Sequence, residues 1–531
     1  MNVLKTYASE ALRLARFSKS SLAPIHKLPV EIISTIPYYL DEDEDEDEDG
    51  GKNYFDEALI ASTHVCRYWR EVFTSYSSLW TKLDLSNVDK TRTYIQRSGT
   101  APLEINLIDN KYARGFNEDD FLKGVFSVVL PHIHRLKSVS VRGEDIPNFF
   151  EHFHCRMPLL ERLKIRIICP GRDQPLDNKL FGGDLSSLRE LTLSRIGTHL
   201  PWNNLANLRV LELRSFPPEY DITRLLGFLE SAPLLGSIRL LGHLPESSSS
   251  NAPSNRIVAL PNLTDLKIKT NQAHSILLDH LRIPAGASLI QYFILSHLGP
   301  LVFHHCMQEG TANLENLSHI TTVDLHLDKF KKIVDLSGPS GHLRANVGWE
   351  AWGNFPSYNL DRQIIRSLYP TVLSIAEKLS VSKFTQPSPA DLDPIFPMLS
   401  SMNNLRTLIL TECHNKPFIT ALNPQENPSK RTLCPDLEEL VLHAKSWDLF
   451  HVEHLVNMTK NRASRGAKRL SSITLVGLDG LSHKKEETDK LEEHVNHVDY
   501  RVDNTPPGQG KIARAIAKVV TTVMRATRFE E

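Results

Sequence analysis

Leu188-Arg189-Glu190-Leu191-Thr192-Leu193 is answered twenty residues later by Leu208-Arg209-Val210-Leu211-Glu212-Leu213. In this Leu-x-x-Leu-x-Leu pattern the last two apolar positions alternate as in a strand and point inward. The first, three residues earlier, closes the turn that feeds the strand. The unit recurs at 136, 160, 235 and 263, in degenerate form at 289–294 and 320–325, and clearly again at 405, 437 and 470. Successive starts between 136 and 320 lie 20 to 31 residues apart, the spacing of a stacked repeat. One unit cannot bury its apolar side, but stacking produces a continuous core. The fold class expected is α/β, an irregular repeat solenoid with a curved parallel sheet and outer helices such as 222–229. Prolines 158, 233, 261 and 435 stand near the start of units and would end the preceding element.

Interruptions lie at 246–251, a Ser-rich flexible loop by composition, and across 337–404, the longest gap. That gap holds Trp349, Trp352 and Phe355, one helical stretch at 364–379 and a Pro-rich linker near Pro387. An insertion of this kind either lies on a binding face or packs as a surface loop, and the sequence leaves both open. The outward strand positions form the candidate reading surface for an unknown protein substrate. They are Glu190, Thr192, Val210, Glu212, Ser237, Arg239, Asp265, Lys267, Asp324, His326, Glu439 and His443. Their mixed charge predicts a polar, sequence-tolerant face.

Upstream, Leu28-Pro29-Val30-Glu31-Ile32-Ile33 starts a helix, with Pro29 in the first turn, where its missing N–H is not needed. Residues 63–80 place Val65, Cys66, Trp69, Val72 and Phe73 on one helical stripe and end in Leu79-Trp80. Between them, residues 41–49 are an unbroken alternation of Asp and Glu, which repel one another and read as a disordered surface loop. Together these segments resemble an F-box, the helical module by which substrate receptors dock on the Skp-family adaptor of a cullin ubiquitin ligase. The match covers roughly residues 26–82. It implies adaptor contacts from Leu28, Pro29, Ile32, Ile33, Val65, Cys66, Trp69, Leu79 and Trp80. Residues 94–103 and the irregular repeats are similar to those of basidiomycete-type fungal F-box proteins. Two departures stand out: Pro37, in place of the usual aromatic, would truncate or kink the first helix, and the acidic loop lengthens the separation of the two halves.

The domain plan is therefore an amphipathic helix at 1–24 and the F-box at 25–82, with its acidic loop at 41–51. Linker and capping units follow at 83–135, then the leucine-rich-repeat array at 136–480 with its insertion at 337–404. A charged and amphipathic tail closes the chain at 481–531. The basic, acid-poor pattern of 1–24 has the look of a transit peptide as well as of a solvated helix packed beside the next domain; the latter reading is adopted. The 511–528 stripe reads as a docked C-terminal helix.

A formal net charge of −2 carries no nucleic-acid footprint. Apolar runs are too short for a transmembrane segment, and no secretory signal is visible. Six scattered cysteines without a CxxC pair read as reduced, buried thiols of a cytoplasmic or nuclear protein. The histidine clusters around 132–134, 152–155 and 304–306 lack zinc-ligand spacing, so no metal or cofactor is expected. No nucleophile elbow, phosphate loop or paired-carboxylate constellation appears. The chain is expected to be no enzyme but a substrate-receptor subunit, docking through its F-box to the adaptor and through that to a cullin. The other reading is a non-ligase repeat scaffold that binds proteins.

Overall fold

A computed structural model describes residues 24–39, 54–85, 87–108, 118–143, 153–167, 174–175, 180–194, 196–197, 205–214, 222–241, 256–270, 277–295, 314–317, 319–328, 331–349, 364–365, 368, 372–384, 395–478 and 485–503. The fold is α/β. Its described residues fall into two compact units, one drawn from 1–172 and 177–188 and the other from 173–176 and 189–515. The expected helices at 1–24 and 511–528, the acidic run and the loop at 246–251 lie outside the described residues.

In the first unit, three helices come first: α1 (Val30–Tyr39), α2 (Tyr54–Val65) and α3 (Arg67–Ser75). A 3-10 turn, Ser77–Trp80, leads into β1 (Lys82–Asp84). Then follow α4 (Val88–Arg97), β2 (Leu103–Ile108), α5 (Glu118–Val129), β3 (Leu136–Gly143) and β4 (Arg162–Ile167). The four strands pair in parallel in the order β1-β2-β3-β4. Their register lines Leu83, Ile105, Val139 and Leu163 into one buried row. The sheet thus begins before the first legible repeat. Leu83-Asp84-Leu85 and Leu103-Glu104-Ile105-Asn106-Leu107 bury alternate residues without a preceding leucine three positions back.

The second unit contains β5 (Glu190–Ser194), β6 (Val210–Arg214), α6 (Ile222–Glu230), β7 (Ser237–Leu240), β8 (Asp265–Thr270) and β9 (Ser288–Leu295). It continues with β10 (Thr322–Leu327), β11 (Lys331–Ser337), β12 (His342–Trp349), β13 (Lys378–Ser382), α7 (Ile395–Ser401) and β14 (Thr407–Thr411). It closes with α8 (Asn415–Leu422), β15 (Glu439–Ala444), α9 (Val452–Ser464), β16 (Ser472–Leu478), α10 (Lys485–Glu492) and β17 (Val498–Asp503). Strands β5 to β9 pair in parallel in chain order, and so do β13 to β17. Between these runs the order is β9-β12-β11-β10-β13, with β11 antiparallel to both neighbours.

The turn before each strand works as its sequence implies. The amide N–H of the first leucine donates to the carbonyl of an apolar residue three positions back: Leu208 to Leu205 (2.9 Å), Leu263 to Leu260 (3.1 Å), Leu437 to Cys434 (3.1 Å). The residue just before that leucine ties consecutive units together. Ser187 Oγ donates to Pro158 O (2.7 Å), Asn262 Nδ2 to Pro233 O (2.9 Å) and Asn404 Nδ2 to Ser374 O (2.9 Å).

Four expectations are corrected. The expected helix at 364–379 ends in β13, fed by Ala376, whose N–H donates to Leu373 O (3.4 Å). Alanine at the leading position concealed a repeat in a helix-favouring run. The degenerate copy begins at Ala287 and not at 289, because Leu289 pairs with Leu266 and buried Gln291 with Ile268. The insertion placed at 337–404 begins earlier, and its first part is sheet: β11 and β12 are strands. Trp349 belongs to β12, while Trp352 and Phe355 lie outside the described residues. Pro37 neither truncates α1 before Tyr39 nor faces water; it is buried inside the helix.

Candidate functional site

The single helical stripe expected within 63–80 is divided between two helices, α2 and α3. Cys66 breaks it, adopting extended backbone and capping α3 with its Sγ, which accepts from Trp69 N at 3.5 Å. Arg70 Nε reaches back to the Thr63 carbonyl (3.0 Å), satisfying the end of α2. Cys66 is half-buried, not enclosed as expected, and Cys155 is exposed, whereas Cys413 and Cys434 are buried. Burial pushes the thiols of Cys413 and Cys434 up to about 12.

Beneath these helices is an aromatic core. Trp69 and Phe73 meet at 5.5 Å, and Trp80 stands edge-on to Tyr94 at 4.8 Å. Trp80 Nε1 donates to Phe73 O (2.8 Å), and the Arg97 guanidinium lies 4.3 Å over the Trp80 ring. Buried Asp56 accepts from Lys90 Nζ (2.5 Å) and Tyr94 OH (3.1 Å). Burial, then the Asp56 charge, raises the Tyr94 hydroxyl well above the phenol range. Burial lowers Lys90, but Asp56 and Asp84 more than reverse this and leave it raised. Ile33, Trp69, Leu79 and Trp80 are all buried here. Their side chains pack the module and present no outer surface.

The outer surface belongs to their neighbours. Leu28 is 40 % exposed, Ile32 51 %, Tyr39 67 %, Ile60 40 % and Val65 60 %. Pro29 is exposed as well. Nine of the fourteen large apolar side chains exposed among the described residues fall between Ile25 and Tyr76, so the exposure is local to these helices. Helix α1 is apolar on both sides: Ile33 and Pro37 turn inward, while Ile32 and Tyr39 turn outward, with exposed Leu28 just ahead of the helix. Tyr39 and Ile60 are exposed as well, although neither stands at a motif position, and Tyr38 packs its ring 4.9 Å from that of buried Phe55. The apolar content of both faces of α1 was the available sequence signal for Tyr39.

In the second unit the twelve outward positions fall into rows set by the register. Glu190, Val210, Ser237 and Asp265 form one row, and Thr192, Glu212, Arg239 and Lys267 the next. Asp324 and His326 sit across β10 and β11 from Asp335 and Ile333; Glu439 and His443 lie on β15. Glu212 is buried, with Arg214 and Arg239 beside it. Burial raises the Asp324 carboxyl against the Ser380 hydrogen bond, and burial lowers the His326 imidazole.

Among the described residues no group of three His, Cys, Asp or Glu side chains is placed to hold a metal ion. Ser288 Oγ lies 3.2 Å from His342 Nδ1, whose Nε2 meets Asp335 Oδ1 at 2.7 Å. Arg344 also reaches that carboxylate (3.3 Å). These groups run along neighbouring strands on an open sheet face. No described helix is long and apolar enough to cross a membrane. No known family model matches the chain, and neither does any characterised protein.

Proposed function

We propose that the chain is the substrate-receptor subunit of an adaptor–cullin ubiquitin ligase. In this reading α1 to α3 are an F-box that docks on a Skp-family adaptor, and the strand–turn units are an irregular leucine-rich-repeat array that holds a protein substrate. One observation carries the reading: the apolar side chains of Leu28, just ahead of α1, of Ile32 and Tyr39 on α1, and of Ile60 and Val65 on α2 are all left in water. Covering such a patch is what a partner interface does. The docking role passes to Leu28, Pro29, Ile32 and Val65, with Cys66 at the helix break; Ile33, Trp69, Leu79 and Trp80 hold that surface in shape.

The receptor performs no chemistry of its own. A lysine of the bound substrate is held at high effective concentration near a ubiquitin-loaded enzyme elsewhere in the complex.

Co-expression with a Skp-family adaptor, scored by co-purification, tests this. Wild type is captured, while Leu28→Asp/Ile32→Asp, changed only at exposed positions, is not, with an unaltered circular dichroism spectrum. A wild-type chain that folds and ignores the adaptor transfers the function to a protein-binding scaffold outside any ligase.

A further inference from the structure

The charges on the outward face of the second unit segregate, and β12 completes the pattern. Arg239 on β7 pairs in register with Lys267 on β8, Lys267 with Ile290 on β9, and Ile290 with Arg344 on β12. One row further along, Lys269 pairs with Tyr292 and Tyr292 with Asn346. Burial raises the Tyr292 hydroxyl, and the charges of Arg344 and Arg239 offset only part of that rise. Arg214 on β6 extends the series. Of the carboxylates interspersed here, Glu212 and Asp335 are engaged by Arg214, Arg239 and Arg344, and Asp265 accepts from Thr264 Oγ1, so five cations on these strands face three carboxylates. From β10 through β17 the row of Lys267 continues through Asp324, Ser380, Ile409, Val441, Thr474 and Asp499 and so turns neutral to acidic, while Lys378 and Arg501 stand in the rows on either side of it.

We infer that the outward face of β6 to β9 and β12 is a cationic track for an extended, carboxylate-rich segment of a partner protein. The inference names the substrate class for the array and in that respect rests on the receptor reading. Adjacent strands stand about 4.8 Å apart, so five of them span about 19 Å, the length of about six extended residues. The cations occur singly along this line and do not converge on a point. The backbone N–H groups of these interior strands are engaged in the sheet, so none is left to cradle a single phosphate. Arg and Lys ranged along a line match side-chain carboxylates carried on a chain.

The test is fluorescence anisotropy of a labelled decapeptide of alternating Asp and Glu, titrated with the full-length chain. Wild type binds, more weakly as salt rises. Arg239→Glu/Lys267→Glu weakens binding by about tenfold or more, whereas Arg239→Lys/Lys267→Arg keeps it and Glu439→Lys on β15 leaves it unchanged. Equal binding by wild type and the charge-reversed variant overturns the inference. So does tighter binding of a phosphoserine peptide of equal charge, or of a single-stranded RNA. Adaptor capture is scored on the same preparations and stays intact in every track variant. Failure of peptide binding with capture retained sinks the track alone; failure of capture with peptide binding retained sinks the receptor reading alone.

Discussion

Ile32 and Ile33 are adjacent on one helix, yet one faces water and the other is fully buried. Substitutions at the two therefore separate docking from folding. Ile32→Asp is expected to abolish adaptor capture while shifting the melting temperature little, since the side chain is half in water already. Trp80→Ala is expected to cost about 3–5 kcal/mol by emptying a buried aromatic site, read as a lowered denaturation midpoint. Thiol chemistry sorts the same way. Iodoacetamide at neutral pH should label exposed Cys155 and spare Cys413 and Cys434, whose thiols are pushed up to about 12 and so stay protonated. His451 gives a pH dependence. Burial first, then His454, Lys416 and His414, lowers its pKa, against a small opposing pull from Asp448. The folded chain therefore binds fewer protons than the unfolded one just below about pH 6.5. The His451 contribution is fully present above that pH and is lost as pH falls through it. His451 also holds a left-handed backbone, φ 52°, at the start of α9. Asparagine tolerates that conformation and caps helices, so His451→Asn should flatten the dependence of melting temperature on pH between 7 and 5.

At the scale of the element, the strand–turn unit was readable wherever a leucine led it. It was unreadable where alanine did, as at Ala376 and Ala287, because a small residue still fills the buried turn position but drops out of an apolar pattern. β2 escaped because it buries alternate side chains without that leading position. The helix break at Cys66 was invisible to periodicity, since the apolar stripe runs on through a cap that conserves the face. The polar residue ahead of the leading leucine is expected to hold units together. Asn404→Ala should cost about 1 kcal/mol, measured by urea denaturation. The tight turn between β11 and β12 is less forgiving. A Cβ on Gly341 would lie 2.0 Å from Asn316 O, and one on Gly338 1.9 Å from His319 O. Backbone there cannot yield cheaply, so Gly341→Ala is expected to destabilise by more than about 2 kcal/mol, visible in the same assay.

At the scale of the molecule, a formal charge of −2 concealed the local excess of cations on β6 to β9 and β12. The outward residues could be named from alternation alone, but their neighbours could not. Strand order decides which charges meet, and Arg344 reaches the row of Lys267 only because β12, and not β10, lies beside β9. The apolar surface of α1 and α2 makes a further demand on the isolated chain. Without adaptor it is expected to self-associate on concentration, measured by light scattering, and to become monodisperse when the adaptor is bound.

The pairing of β9 to β13 has an architectural consequence. Ser288, His342, Ser337 and Thr322 share one row, so the antiparallel pair β11 and β12 enters and leaves the sheet without shifting its register. β10 and β12 also run the same way and finish at the same edge, two strand spacings or about 10 Å apart. The hairpin is thus a removable cassette. Excising residues 329–349 would bring Thr322 opposite Ser288 in the manner of any other consecutive units. The shortened chain should still melt cooperatively, having lost Arg344 and with it one end of the cationic track.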